Sequence, residues 1–315
     1  MINKHSFFEQ EKNNPSNSLT LENARLGVLG GSGIYSIDCI KDIKEVEIET
    51  PFGKPSDKLR VGLLGGMEVV FLARHGRNHT YCPTDIPYKA NIWALRSLNV
   101  RWILSPSAVG SLQEQIRPLD IVIPDQFIDR THNRPITFFS NGVVAHVSMA
   151  DPFCKVLSRI LGEQAEKIIP EGRQIHKGGT YLAMEGPAFS TRAESDLYRS
   201  WGCSVIGMTN HTEARLAREA EIAYASLSMI TDYDCWRSAN DKVTVAMVIK
   251  NLKENSLIGQ KIVEETAKKI ANTRPSSEAH HSLRDGLMTR KDLVSLEIRK
   301  KINVFTEPYW GSVNT

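Results

Sequence analysis

The chain has 315 residues, 41% hydrophobic and 24% charged, with a formal net charge of +3 at pH 7. Those proportions are ordinary for a globular protein and leave room for one large domain or two small ones. Near-neutral charge without a long basic block or aromatic-basic interleaving argues against nucleic acid as a partner, and no apolar stretch approaches a membrane span.

The first twenty residues, MINKHSFFEQEKNNPSNSLT, are polar apart from one FF pair. A secretory signal needs a longer apolar core, so residues 1–24 are expected to be a disordered polar tail. The five cysteines (Cys39, Cys82, Cys154, Cys203, Cys235) form no C-x-x-C pair. An odd, scattered set argues against a disulfide framework or a zinc ribbon and for reduced thiols in cytoplasm.

From Leu26 onward, short β-prone runs alternate with helical segments. RLGVLGGSGIY carries a strand over Leu26–Leu29 that runs into a glycine-rich turn, and MEVVFLARHG carries another from Glu68 to Ala73. VRWILSPSAVGSL, DIVIPDQFIDR, CSVIGMTNHTE and AYASLSMITDYDCW repeat the design, each with small or polar residues at its C-terminal end;. Helices are predicted over Tyr88–Leu98, Pro152–Leu161, Arg192–Trp201, Thr212–Glu221 and from about Thr244 to Ile270;. This order predicts an α/β fold: one domain over 25–271 with a central mixed, largely parallel β-sheet flanked by helices. Residues 272–315 begin with linker composition (ANTRPSSEAHHS) and continue into a charged segment with room for one more helix.

In such sheets ligands gather outside the carboxyl ends of the strands, where most of the unusual residues here fall. GGSG, Gly30 to Gly33, offers backbone N–H groups and the Ser32 hydroxyl to an anion, or is simply a tight turn;. With Ser36 in the last position it gives G-x-G-x-x-S, an incomplete dinucleotide fingerprint on which a nicotinamide-dependent oxidoreductase would rest;. Arg74 and His75 in ARHGRNH form a cradle for a dianion; His75 and His79 are four apart, but Gly76 intervenes and no H-E-x-x-H motif supports a metal;. Ser107 and Ala108 in SPSAVGS suit an anion as well. Phe189, near Ser190, can stack on a flat ligand or belong to the core, and Thr209, after Met208, can be an N-cap;.

The run SLSMITDYDCW ends in Asp232 and Asp234, two positions apart. If the strand continues through them, both carboxylates face one side, and like charges that close raise one pKa. A pair with one protonated member donates to one ring atom and accepts from an amino group beside it, the pattern of adenine N7 and N6. No other acid-rich segment completes a metal site, so metal is discounted.

With these residues in place the chain resembles the 5′-methylthioadenosine phosphorylases of the trimeric purine nucleoside phosphorylase superfamily. The resemblance runs from about Arg25 to Ile270 and is carried by GGSGIY, TPFGKPSD, LARHGRNH, ANIWALRSL, GSLQEQIRPLDIVIPDQFIDRT, MADPFC, EGPAFSTRAES and ITDYDCW. It implies a nucleoside phosphorylase-like fold and phosphorolysis of 5′-methylthioadenosine, with phosphate as co-substrate and no cofactor. Phosphate would be held by Ser32, Arg74, His75, Ser107, Ala108 and Thr209. Met208 would lie against the ribose, Phe189 and Ser190 by the base, and Asp232 and Asp234 on its N7 and N6 edge, with Tyr233 and Val245 as further residues on the nucleoside side. The resemblance also implies a homotrimer in which His146 reaches a neighbouring subunit's 5′ pocket, closed by the C-terminal segment. Another purine nucleoside, adenosine or a 6-oxopurine nucleoside, is the nearest alternative substrate; a nucleoside-binding protein without turnover is a more distant one. One departure stands out: the family commonly has Val-Pro-Glu after the ribose-contacting turn, where this chain has Asn210-His211-Thr212-Glu213, which puts His211 beside the phosphate and ribose positions.

Overall fold

The structure is a computed structural model that describes residues 21–34, 37–237 and 245–313, except the side chains of 245–248. Residues 1–20, Ser36 and the side chain of Val245 therefore lie outside the described residues. Leu21–Asn23 form a short 3-10 helix and Ala24 is buried, so the folded body begins slightly before the expected end of the tail.

In chain order the elements are β1 (Arg25–Gly30), β2 (Lys41–Val46), β3 (Leu59–Leu64), β4 (Met67–Ala73), α1 (Tyr88–Ser97), β5 (Val100–Ser111), β6 (Ile121–Ile123), β7 (Gln126–Arg130), α2 (Lys155–Ile168), β8 (Ile175–Lys177), β9 (Thr180–Met184), α3 (Arg192–Ser200), β10 (Val205–Gly207), α4 (Asn210–Glu219), β11 (Ala223–Asp232), α5 (Val245–Thr273) and α6 (Leu296–Trp310). The strands form one sheet in the order β2-β3-β4-β1-β5-β10-β9-β7, with β11 alongside β5 and β6, and β8 alongside β6. Pairings of β1 with β4 and β5, of β5 with β11, of β9 with β7 and β10, and of β6 with β8 are parallel; the rest are antiparallel. The sheet is thus mixed and largely parallel, as expected.

Side-chain alternation explains why the central strands read as unbroken apolar runs. Leu26 and Val28 of β1, Val69 and Phe71 of β4 and Leu227 and Met229 of β11 face a core shared with α2 and α5. Leu29, Val70, Leu72 and Tyr224 face the opposite core, shared with α1, α4 and α6. Strands buried on both faces need apolar residues at both parities.

Several expected boundaries shift for identifiable reasons. DIVIPDQFIDR breaks at Pro124-Asp125 into β6, which pairs β11, and β7, which pairs β9; proline has no N–H for a continuous ladder. α4 starts at Asn210, two residues early, and α2 is displaced toward its C-terminus. α3 opens with a capping box between Thr191 and Glu194;. Beyond 271 only Leu296–Trp310 is a long helix, and the segment before it packs on the body: Trp102 Nε1 donates to the Pro275 carbonyl at 2.9 Å and Arg101 Nη2 to that of His280 at 2.9 Å.

The site is positioned by strand lengths. β1 and β4 stop together at Gly30 and Ala73, while β5 runs on beside β11 until Gly110 meets Asp232. The ends of β1 and β4 and the overhang of β5 and β11 open a crevice at the carboxyl edge.

Candidate active site

The crevice is a cavity of about 380 Å³ lined by Ser32, Arg74, His75, Ser107, Ala108, Met208, Phe189, Thr209, Asp232 and Asp234, together with Val109, Gly110, Tyr181, Met184, Ile206 and Leu252. That size suits a small molecule. One wall is basic and hydroxyl-rich, the other ends in two carboxylates.

Arg74 anchors the basic wall and is almost wholly buried. Its Nε lies 2.5 Å from Glu213 Oε1 and its Nη2 3.0 Å from Oε2. Nη2 also donates to the Leu29 carbonyl at 3.0 Å and to Ser105 Oγ. Burial works against the guanidinium charge, but the adjacent Glu213 carboxylate leaves its pKa above the ordinary arginine value. Only Nη1 is loosely held, at 3.3 Å from the Pro106 carbonyl and 3.4 Å from Ser107 Oγ. This is the nitrogen the glycine-rich turn makes room for, because a Cβ on Gly31 would sit 2.3 Å from it. No helix follows that turn among the described residues up to Ile40, so it is not the phosphate-binding turn of a dinucleotide fold;.

Beneath the hydroxyls lies a buried polar chain. Ser107 Oγ donates to Asn210 Oδ1 at 2.9 Å, and Asn210 Nδ2 donates to Ser226 Oγ. Thr209 stands at the N-cap of α4 without capping it; its hydroxyl lies 3.4 Å from Asn210 Oδ1 and remains in the cavity wall. His75 Nδ1 lies 2.9 Å from the Tyr81 carbonyl, which fixes the proton on that nitrogen;. Burial, followed by the Arg74 charge, pushes its pKa down to about 4. The neutral form is therefore favoured, with Nδ1 as its donor and Nε2 as its acceptor.

The carboxylate wall converges for a different reason from the one the spacing suggested. β11 ends at Asp232, and Asp234 has a φ of 36°. A turn brings them together, closed by the Asp234 N–H donating to Asp232 Oδ1 at 2.9 Å;. Thr231 Oγ1 donates to Asp232 Oδ2 at 2.7 Å, and Ser195 Oγ, from α3, donates to Asp234 Oδ2. Burial is the largest cause raising both pKa values; mutual repulsion is secondary and bears on Asp234. Both acids are thus biased toward the protonated form, chiefly by desolvation.

Other expected residues fall elsewhere. Phe189 is on the rim and 81% exposed. Ser190 lies just behind the wall, with its carbonyl accepting from Cys235 Sγ at 3.2 Å and its hydroxyl 3.6 Å from Met184 Sδ. Tyr233 turns away, its hydroxyl 3.4 Å from the Glu114 carbonyl and its ring under Arg237. His146 is exposed and lines no part of this cavity. His211 is buried away from it, with Nε2 2.9 Å from Asp129 and its ring edge-on to Phe127, and burial pushes its pKa down to about 4. Glu213, Asn210 and Tyr181 were not singled out by spacing; only the resemblance, by aligning Glu213, gave a hint of one of them.

The profile of the phosphorylase superfamily matches residues 25–268. An S-methyl-5′-thioadenosine phosphorylase of Prochlorococcus marinus is 71% identical over the full length of both chains. The crystal structure of a methylthioadenosine phosphorylase from an antarctic soil metagenomic library superimposes with a TM-score of 0.86 at 46% identity, covering 90% of this chain and 99% of that one. A Schistosoma mansoni methylthioadenosine phosphorylase in complex with adenine gives 0.79 at 33% identity, covering 86% and 100%. A crevice with a basic, hydroxyl-rich wall facing a carboxylate wall, on this sheet and with these relatives, places the chain in the phosphorylase superfamily, within its methylthioadenosine phosphorylase family.

Proposed function

We propose that the chain catalyses phosphorolysis of 5′-methylthioadenosine, giving adenine and 5-methylthioribose 1-phosphate. The observation that carries the reading is the two-walled cavity: Arg74, Ser107 and Thr209 at one end, Asp232 and Asp234 at the other. Cleaving the glycosidic bond builds positive character on the ribose and negative charge on the departing purine. Asp232, protonated, neutralises the purine by donating to N7, and Asp234 accepts from the N6 amino group. Phosphate, held by Arg74 Nη1 and the hydroxyls of Ser32, Ser107 and Thr209, stabilises the ribosyl cation and attacks C1′ with inversion. His75 Nε2 accepts a hydrogen bond from the hydroxyl of a monohydrogen phosphate. Met208 backs the sugar, and phosphate enters as co-substrate without a cofactor.

For the assembly we propose a homotrimer in which the partner subunit's His146 completes the 5′ pocket. The exposure of Phe189 on the rim supports a covered mouth, and sedimentation showing a monomer rejects it. Five free cysteines and the absence of any sufficiently long apolar helix among the described residues support a cytoplasmic location.

The deciding experiment measures adenine release from 5′-methylthioadenosine with and without phosphate, beside adenosine and methylthioinosine. Release that requires phosphate and is fastest from the methylthio substrate is expected. Release without phosphate makes the chain a hydrolase, and activity confined to methylthioinosine overturns the role given to the aspartates.

A further inference from the structure

Arg134 is a buried cation that lines no part of the cavity, yet it ties together the segments forming one side of it. It sits in the loop after β7. Its Nε donates to Glu185 Oε1 at 2.9 Å, Nη2 to the Glu185 carbonyl at 2.6 Å, and Nη1 to the Met208 carbonyl at 2.9 Å and to Tyr88 Oη at 2.5 Å. The Glu185 carboxylate in turn accepts from Thr84 Oγ1, from the Asn133 N–H at 3.2 Å and from the His132 N–H. One guanidinium thus joins the end of β9, the end of β10, the start of α1 and its own loop.

The two carbonyls it holds flank a close approach that has no slack. Gly186 has a φ of 71°, and a Cβ there would stand 2.6 Å from Met208 Sδ. Any side chain at that position would push Met208, a cavity-lining residue, off its seat. Arg134 fixes the spacing from behind by gripping the carbonyls of Glu185 and Met208 together. A lysine has one point charge and no planar fork, so it cannot hold two carbonyls and a carboxylate in fixed directions.

We infer that Arg134 is a positioning residue for the sugar side of the nucleoside, setting the separation of Met208 from the Glu185-Gly186 turn. The inference rests on the proposed phosphorolysis. It separates the cavity's walls: the phosphate residues hang on Arg74, Glu213 and Asn210, and the base carboxylates on β11 and Ser195. Arg134 hydrogen-bonds no side chain of either set, and its charge is a minor influence on His75.

The test is steady-state kinetics of the full chain with Arg134→Met and Arg134→Lys, varying each substrate in turn, together with equilibrium binding of free adenine. Arg134→Met is expected to raise the KM for 5′-methylthioadenosine by about tenfold or more while the phosphate KM stays within about twofold. Adenine affinity, read without the sugar, should be unchanged, and Arg134→Lys should fall between. If Arg134→Met does not fold, Glu185→Gln, which removes the charge partner of the fork, carries the same expectation. An unchanged nucleoside KM overturns the role. So does a parallel loss of nucleoside, phosphate and adenine binding, the signature of general loosening. A wild-type chain that releases no adenine overturns the proposed function and this role together; an active wild type whose variants show no split overturns this role alone.

Discussion

Arg74 and Glu213 meet in a two-pronged ion pair behind the cavity wall, with side chains 1% and 2% exposed. They lie 139 positions apart in the chain and come from the end of β4 and the first turn of α4. Glu213 also accepts from Ser105 Oγ at 2.9 Å and Tyr224 Oη at 2.7 Å, so its carboxylate is fully satisfied. The pair therefore aims Arg74 as well as neutralising it, leaving Nη1 as its most loosely held nitrogen and the one proposed to meet phosphate.

Removing one member strands the other. Glu213→Gln keeps the shape but leaves a buried guanidinium without its countercharge, a change that costs about 3–5 kcal/mol in comparable sites. Urea unfolding should show a loss of that order. Phosphate KM should rise more than nucleoside KM, because the disturbed arginine belongs to the wall proposed to hold phosphate. A variant as stable as the parent would mean Arg74 does not depend on this pair.

Asp232→Asn removes the proposed proton donor for N7 while leaving the Thr231 hydrogen bond a partner. Turnover of 5′-methylthioadenosine should fall by about a hundredfold to ten-thousandfold, the usual range for losing a general acid. Because an amide also donates to a 6-oxo group, relative activity on methylthioinosine should rise. Equal losses on both substrates would detach Asp232 from base recognition.

The same variant has a thermodynamic signature. Burial raises the Asp232 pKa above its ordinary value of 3.8. Its contribution to stability is thus fully present below the unfolded-state pKa and lost as pH rises through the folded one. Asparagine never ionises, so the stability of Asp232→Asn relative to the parent should improve as pH rises from 3.8 through the raised pKa, then level off. A difference that stays flat across that window would show the carboxyl to be solvated.

What the chain disclosed in advance was local. Apolar runs closing on Gly30, Ala73 and Asp232 announced strands, and Ser32, Arg74 and Asp232, at or just past their ends, line one cavity. Asp232 and Asp234 do share one cavity wall, but a turn with positive φ, not strand parity, brings them together. β2 stayed hidden because KDIKEV is exposed along nearly its whole length, so no burial pattern marks it. The partners of Glu213, Asn210 and Arg134 were illegible for another reason. Those partners lie in other elements, and a motif records only neighbours along the chain. His211 shows the converse: its place in the sequence put it beside the substrate, whereas the helix turns it toward Asp129 and Phe127.

Acid stability depends on a group far from the cavity. His280 is buried, with Nε2 2.9 Å from the Arg101 carbonyl, which fixes the proton there, and its ring edge-on to Trp102. Burial, then the Arg101 charge, pushes its pKa from 6.5 down to about 3. A depressed pKa means the unfolded chain takes up a proton that the folded chain refuses, so stability present above 6.5 is lost as pH falls toward the folded value. At about 1.4 kcal/mol per pH unit, the loss from this ring reaches about 2 kcal/mol near pH 5. His75 and His211 act in the same direction, so the parent alone cannot assign the effect. His280→Gln isolates it: whatever its stability at neutral pH, its unfolding free energy should fall less steeply than the parent's as pH drops below 6.5. Parallel slopes would mean that His280 is protonated in the fold, with a countercharge supplied where Arg101 and Arg96 now oppose it.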